Sequence, residues 1–214
     1  MQKSESFLLS ALLSFSGGLQ DAYTYTVRGE VFANAQTGNV VLMSQNFMCG
    51  QWGQSLYYLC PLLSFSLGVF VAERIENRFK ENRPLHWRQM ILLIEMAVLA
   101  LVGVLPTRFD MAANMLVSFS CAMQVQTFRK VQGYGYASTM CIGNLRSGTE
   151  SLSQYFRSRD KMAMRKALNL FGIILIFAVG AGMGGILSGV FGIRTIWISV
   201  AVLLIVTFVM IKEA

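Results

Sequence analysis

Charged residues are scarce in this sequence. Only 14% of the 214 residues are Asp, Glu, Lys or Arg, against about 25% in ordinary soluble domains, while 54% are hydrophobic. So few charges cannot cover the surface of a soluble domain of this length. The composition therefore excludes a cytosolic enzyme and a disordered chain, and it predicts an all-α polytopic membrane protein forming one domain over residues 1–214.

Residues that build catalytic or metal sites are also few. His86 is the only histidine, and the four cysteines, at positions 49, 60, 121 and 141, form no CxxC pair. The spacing of these residues offers no Ser-His pair and no metal-ligand cluster, and no nucleotide-binding glycine loop is present. We therefore expect no enzyme activity, no cofactor, no bound metal and no ATP-driven pumping.

The apolar residues are grouped into long runs. A helix needs about 20 residues to cross a bilayer, and six runs approach or exceed that length: 6–27, 55–72, 89–106, 110–128, 168–190 and 193–212. Two other segments, 31–48 and 131–156, are more polar, and the second contains Arg146 and Glu150. We predict about six membrane-spanning helices and two segments of a different kind.

The positive charge is concentrated in two connectors. Ten of the 18 Lys and Arg residues lie in 73–88 and 157–166, which is typical of cytoplasmic loops and unlike the single basic face of a nucleic-acid binder. We expect no nucleic-acid partner. Both connectors lie on one side only if an even number of crossings separates them. Segment 131–156 is therefore predicted to enter the membrane and return, surrounded by protein or water.

The two polar segments resemble each other, as do the helices before them. At an offset of 104, residues 14–16 match 118–120, Gln20 matches Gln124, Gly29 matches Gly133 and 32–33 match 136–137; residues 38–39 match 143–144 after a one-residue insertion. The pattern predicts two related halves, 6–106 and 110–212. With both polar segments re-entrant, each half crosses three times and the second half is inverted. If 31–48 spans instead, there are seven crossings, parallel halves and an external N-terminus.

Residues 32–39, FANAQTGN, carry a family resemblance together with Gly17-Gly18 and the run 21–23, DAY. They resemble the signature of the YoaK-like family of bacterial membrane proteins, domain of unknown function 1275. The second Gly-Asn pair, followed by Leu145-Arg146, is similar to the same pattern, although Ile142 stands where Thr or Ser is expected. The resemblance covers nearly the whole chain and implies a multi-pass protein of the bacterial inner membrane. It implies no activity, substrate or catalytic residue.

The Gly-Asn pairs and the acids within apolar runs define the candidate site. We expect Asn39 and Asn144 to be N-caps of two short helices whose N-terminal amides meet near the middle of the membrane. Intramembrane acids are rare and often lie on a substrate or proton path, whereas Arg146 either attracts anions or pairs with Glu150. The predicted path consists of Gln20, Asp21, Asn34, Thr37, Gly38, Asn39, Glu95, Gln124, Gly143, Asn144 and Arg146.

These features favour a small-solute channel or a secondary transporter that carries a small solute or ion across the lipid bilayer. The alternative is a non-catalytic scaffold or regulator of another membrane complex, docked through the loop 73–88. Two ladders of small residues, Gly180 with Gly184 and Gly185 with Gly189, predict close helix packing on 168–190. They also leave room for a homo-oligomer through that helix.

Overall fold

The predicted all-α fold is confirmed by the structure, a computed structural model that describes residues 6–80 and 87–212. Residues 81–86, which include His86 and part of the loop 73–88, lie outside the described residues. The helices are α1 (Phe7–Val27), α2 (Gln36–Met48), α3 (Trp52–Phe79), α4 (Trp87–Val102), α5 (Asp110–Thr127), α6 (Cys141–Ser158), α7 (Lys161–Phe191) and α8 (Ile196–Lys212). Short 3-10 turns cover Thr107–Phe109 and Gly192–Thr195, and β1 (Lys130–Val131) pairs antiparallel with β2 (Tyr134–Gly135).

Helix bounds follow the apolar runs most closely in α1, α4, α5 and α8. α3 and α7 are longer than the predicted 55–72 and 168–190, because their charged ends stay helical while hydropathy marks only the apolar middle. Within the described residues, Trp52–Phe79 and the stretch Lys161–Met210 are long and apolar enough to cross a membrane. The other helices are shorter or more polar. α4 has only 16 residues, and α1 and α5 contain many polar residues, which are buried and which lower the mean hydropathy of these helices.

The polar segments 31–48 and 131–156 are each divided into an irregular part and a helix. Residues 28–35 are irregular before α2, and residues 128–140, which include the β1–β2 hairpin, precede α6. Gly29 and Gly133 have φ angles of 81° and 87°, a left-handed conformation that glycine adopts without a Cβ clash. The chain can therefore turn back where α1 and α5 end.

Parallel helix pairs form the centre of the bundle. α1 and α7 touch in rising order along both: Phe7 with Gly172, Phe15 with Gly180 and Leu19 with Gly184. α3 and α5 do the same: Tyr57 with Asn114, Gly68 with Phe119 and Glu73 with Gln126. Gly68 and Gly180 leave no room for a Cβ against the backbone of the facing helix, so each pair approaches closely.

These directions define two ends of the bundle. At the Arg28 end, α1 and α4 finish and α3 and α5 begin, because Arg28 contacts Val102, Asp110 and, through its carbonyl, Tyr57. At the other end, called the Asp160 end, α1 and α7 begin and α3, α5 and α6 finish. The connector 157–166 and the described residues of the connector 73–88 lie at the Asp160 end.

The pattern of helix contacts is repeated when α1 to α4 are exchanged with α5 to α8 in order. α1 packs on α7 as α5 packs on α3, α2 packs on α3 as α6 packs on α7, and α4 packs on α5 as α8 packs on α1. The apolar core lies among α1, α4, α5 and α8, with Leu13, Leu99, Val117 and Leu203 fully buried. Large apolar side chains on α3, α7 and α8, such as Phe70, Leu175 and Phe208, are exposed, as expected of a surface that faces lipid.

Candidate functional site

Two asparagine side chains hold the irregular segments in the same way. Asn39 Nδ2 donates to the Phe32 carbonyl at 2.7 Å, and Asn39 Oδ1 accepts from the Phe32 amide at 3.3 Å. Asn144 makes the same two bonds with Ala137, at 2.7 and 3.2 Å. Each side chain therefore clamps the backbone seven residues before it.

The prediction that Asn39 and Asn144 are N-caps is wrong. The N-cap residues are Ala35 and Met140, neither of which makes a side-chain cap bond. Each asparagine is the fourth residue of its helix, where its side chain faces the preceding segment instead of the first-turn amides. An asparagine near a helix start indicates a cap only if it precedes the helix, and the sequence did not fix where α2 and α6 begin.

The clamps also correct the predicted alignment of the two segments. Phe32 and Ala137 occupy equivalent places seven residues before an asparagine, so the offset there is 105. The predicted match of 32–33 with 136–137 at 104 is therefore shifted by one residue. At the corrected offset, Asn34 is equivalent to Thr139.

Both irregular segments reach the middle of α1. Asn34 Nδ2 donates to the Gly17 carbonyl at 3.2 Å, and the Thr139 methyl packs against Gly17 so closely that no Cβ would fit there. From this level α2 returns to the Arg28 end, where Ser55 Oγ donates to Met43 O at 3.0 Å, and α6 returns to the Asp160 end. α2 and α6 thus begin at the same level and run in opposite directions.

A cavity of about 820 Å³ lies where α2 and α6 begin. Its walls come from α1, α3, α7, the irregular residues just before α2 and α6, and the first turns of those two helices. The polar lining residues include Asp21, Asn34, Gln36, Thr37, Thr139, Cys141 and Gly143. The rest of the wall is mostly apolar and includes Phe32, Leu62, Phe65 and Phe177.

Asp21 holds the backbone immediately before α2. Its Oδ1 accepts a hydrogen bond from the Asn34 amide at 2.7 Å, and the carboxylate also lies beside the amides of Ala33 and Ala35. A carboxylate beside the N-terminal amides of a helix offsets the positive end of the helix dipole. In the equivalent helix α5, Val125 stands at the matching position, so α6 has no such acid.

Three predicted path residues lie in the interior, away from the cavity wall. Cys121 Sγ donates to Gln20 Oε1 at 2.7 Å, and Glu95 lies beside Gln20 and Ser120. The Glu95 carboxylate is fully buried and has no hydrogen bond of good geometry within the described residues. Gln124 Nε2 donates to Ser138 Oγ at 2.9 Å, which fixes the irregular segment before α6 against α5. Gly38 faces the Phe32 ring.

Arg146 is on the outer face of α6 and not in the cavity. Its Nε lies 3.0 Å from Glu150 Oε1, with side chains 80% and 62% exposed. Gly148, two residues further on, contacts Phe171, which precedes the cavity-lining Phe177 along α7, so the pair lies on the Asp160 side of the cavity. Of the two readings of Arg146, the structure favours the ion pair with Glu150.

Comparison with known proteins places the chain in a family. The sequence model of the family described as "Protein of unknown function (DUF1275)" matches residues 9–209. The chain belongs to the DUF1275 family. It is 24% identical over 206 residues to the UPF0700 transmembrane protein YoaK of Bacillus subtilis (strain 168), covering 91% of this chain and 89% of that protein. No solved structure matches it. The predicted resemblance is confirmed, and the chain is an integral membrane protein.

Sequence reasoning missed Thr139 and Cys141 in this DUF1275 protein. Both line the cavity, and Thr139 is buried with 6% exposure, its hydroxyl having no hydrogen-bond partner among the residues that the structure describes. The signal that would have found Thr139 was its equivalence to Asn34, which the one-residue error in the alignment hid. Asn34, Asp21, Thr37 and Gly143 were predicted and do lie on the cavity wall.

Proposed function

We propose that this DUF1275 protein carries a small solute across the bacterial inner membrane, as a channel or a secondary transporter, through the cavity between α2 and α6. The observation that carries the proposal is that α2 and α6, which run towards opposite ends of the bundle, begin at one cavity. Irregular backbone within a membrane is tolerated where protein or a water-filled space surrounds it. Helix N-termini at such a site offer amide donors to a solute.

The proposed topology has six crossings, α1, α3, α4, α5, α7 and α8, with 28–48 and 128–158 re-entrant from opposite sides. Each half then crosses three times, and the second half is an inverted copy of the first. The exchange of helix contacts between halves and the paired asparagine clamps support this duplication.

The Asp160 end is proposed to face the cytoplasm. The described cations there include Arg74, Arg78, Lys80, Arg88, Arg129, Lys130, Arg157, Arg159, Lys161, Arg165, Lys166 and Lys212. At the Arg28 end, the described cations are Arg28, which is buried and paired, Arg108 and Arg194. Cytoplasmic loops carry the excess of Lys and Arg in inner-membrane proteins.

The residues take two roles in this proposal. Asp21, Asn34, Thr37 and Gly143 line the route, while Asn39 and Asn144 hold the segments that carry them. Gln124 supports the second segment through Ser138. Arg146 contributes to the cytoplasmic interface.

Aqueous access to Cys141 tests the proposal. The protein is prepared with Cys141 as its only cysteine, reconstituted into sealed vesicles and treated on each side with a membrane-impermeant methanethiosulfonate. We expect modification from at least one side, and a loss of modification in Gly143→Phe, since Gly143 lines the cavity and has open space for a side chain.

Gly53→Phe is the matched control, because Gly53 also has open space but lies at the Arg28 end, away from the cavity. It should leave the modification rate unchanged. If Cys141 reacts from neither side, the cavity is not part of an aqueous route and the scaffold alternative gains instead. Equal rates in Gly143→Phe and in the parent protein would also contradict the proposal.

A further inference from the structure

We propose that the α6 end of the cavity, formed by residues 139–143, binds the carboxylate of a small organic acid whose apolar body lies against the aromatic wall. The inference rests on the proposed function, because it assigns a substrate class to the same cavity. Four observations carry it: the free amides of α6, the unpartnered hydroxyl of Thr139, the different chemistry at α2, and the apolar lining.

The first turn of α6 presents hydrogen-bond donors to the cavity. α6 has 18 residues, and its N-cap residue Met140 makes no side-chain bond to the first-turn amides. Cys141, Ile142 and Gly143 line the cavity, and outside its own helical turn no atom lies within 4 Å of the place where a Gly143 Cβ would stand. The first-turn amides of a helix have no acceptor within the helix, and the positive end of the helix dipole favours an anion beside them.

Thr139 adds a donor that lacks a partner. Its side chain lines the cavity, and its methyl group packs against Gly17. The residue is only 6% exposed, yet its hydroxyl forms no hydrogen bond within the described residues. A buried hydroxyl without a partner is unfavourable. A carboxylate held at the α6 amides would accept its hydrogen bond.

The α2 end of the cavity cannot serve the same purpose. The carboxylate of Asp21 lies against the amides of Asn34 and Ala35, just before α2, so a second anion there would meet a like charge. The first-turn amides of Gln36 and Gly38 already donate to the carbonyl oxygens of Asn34 and Ala35. Among the described residues, the buried Asn34 Oδ1 has no hydrogen-bond partner, which suits a hydrogen-bond donor on the ligand. The cavity is therefore polarised, with acceptors at α2 and donors at α6.

The size and lining of the cavity indicate an organic anion and not an inorganic one. About 820 Å³ falls in the range of pockets for small organic ligands, roughly 300–1,000 Å³. Phe32, Phe65 and Phe177 supply an apolar wall between the two polar ends. A molecule such as 4-hydroxybenzoate matches this order of carboxylate, apolar ring and donor.

The experiment uses the protein whose only cysteine is Cys141, with a protein carrying only the exposed Cys49 as reference. Anionic (MTSES) and cationic (MTSET) methanethiosulfonates are compared. We expect the ratio of anionic to cationic rates to be about tenfold higher at Cys141 than at Cys49. We also expect 4-hydroxybenzoate to slow the reaction at Cys141, and 4-hydroxybenzamide, its neutral analogue, to have little effect.

Two variants connect the effect to the named groups. Thr139→Val keeps the shape of the side chain and should weaken protection by 4-hydroxybenzoate about tenfold, because it removes a hydrogen bond to a charged group. Thr149→Val, on the outer face of α6, should leave protection unchanged. Asp21→Asn keeps an acceptor for the Asn34 amide but removes a negative charge from the cavity, so it should strengthen protection.

The outcomes separate the two proposals. A Cys141 that reacts but shows no preference for the anionic reagent, or equal protection by the acid and the amide, overturns the carboxylate site and leaves the proposed route intact. Undiminished protection in Thr139→Val also overturns it. A Cys141 that reacts from neither side overturns the route, and the carboxylate site with it.

Discussion

Arg28 Nη1 donates a hydrogen bond to Asp110 Oδ1 at 2.8 Å, joining the end of α1 to the start of α5. The Arg28 side chain is fully buried and also donates to Tyr23 Oη at 2.8 Å and to the carbonyl oxygens of Val102 and Leu105 at 2.9 and 3.0 Å. One guanidinium therefore ties α1, α4 and α5 together at the Arg28 end.

Removing the carboxylate should destabilise the protein, because a buried guanidinium would lose its counter-charge. We expect Asp110→Ala to cost stability at the low end of about 3–5 kcal/mol, since the Asp110 side chain keeps 23% exposure. Asp110→Asn, which retains an acceptor, should cost less. Thermal unfolding in detergent measures both.

Glu150→Ala is the control, because the Arg146–Glu150 pair is exposed and surface ion pairs contribute little. It should leave the unfolding temperature almost unchanged. If Asp110→Ala unfolds at the same temperature as Glu150→Ala, the buried pair does not stabilise the bundle.

The asparagine clamps predict two matched losses. Asn39→Ala and Asn144→Ala each remove two hydrogen bonds to a backbone segment, and each unsatisfied buried group costs about 1–3 kcal/mol. The two variants should lower thermal stability by similar amounts and should slow modification of Cys141 by displacing the segments that line the cavity.

Asn46→Ala provides the comparison, since Asn46 makes one hydrogen bond, to the Leu42 carbonyl within α2. Its effect should be the smallest of the three. Wild-type stability in both clamp variants would show that the segments are held by other contacts.

How much of the fold and of the candidate site could be predicted depends on how far apart in the sequence the interacting residues lie. Composition led to the all-α membrane fold, which is confirmed. The parity argument predicts that 131–156 enters the membrane and returns, and this stays a prediction; the structure shows the segment as irregular residues followed by α6. The role of Asn39 depends on where α2 begins, which local propensity fixes only to within a few residues. The role of Arg28 could not be predicted from local sequence, because its partner Asp110 lies 82 residues away.

The glycines of α7 separate into two groups that the sequence could not distinguish. Gly180 has no room for a Cβ against the Phe15 backbone, whereas Gly185 has open space. We expect Gly180→Ala to cost about 1–3 kcal/mol through overpacking. Gly185→Ala should be neutral, or stabilising by up to about 1 kcal/mol through helix propensity. Equal unfolding temperatures would contradict the close α1–α7 contact.

We predict that the stability of the protein does not depend on a negative charge at Glu95. Its buried carboxylate lies beside Gln20 and Ser120 without a well-formed hydrogen bond in the described residues, and an unpaired buried charge is unfavourable. Glu95→Gln keeps the shape and should unfold at the same or a higher temperature. Gln20→Glu, which places a second carboxyl beside it, should unfold at a lower one. A marked loss of stability in Glu95→Gln would show that the carboxylate itself is required.

The side of the membrane on which each end lies can be tested by thiol labelling of single cysteines. Lys80→Cys and Asp160→Cys, at the two basic connectors, should react with an impermeant maleimide only from the cytoplasmic side, and Gly53→Cys only from the opposite side. Gln2→Cys decides the number of crossings: cytoplasmic labelling agrees with six and external labelling with seven. Labelling of Lys80→Cys and Asp160→Cys from opposite sides would refute the even number of crossings between them, and with it the inverted duplication that brings α2 and α6 to one cavity.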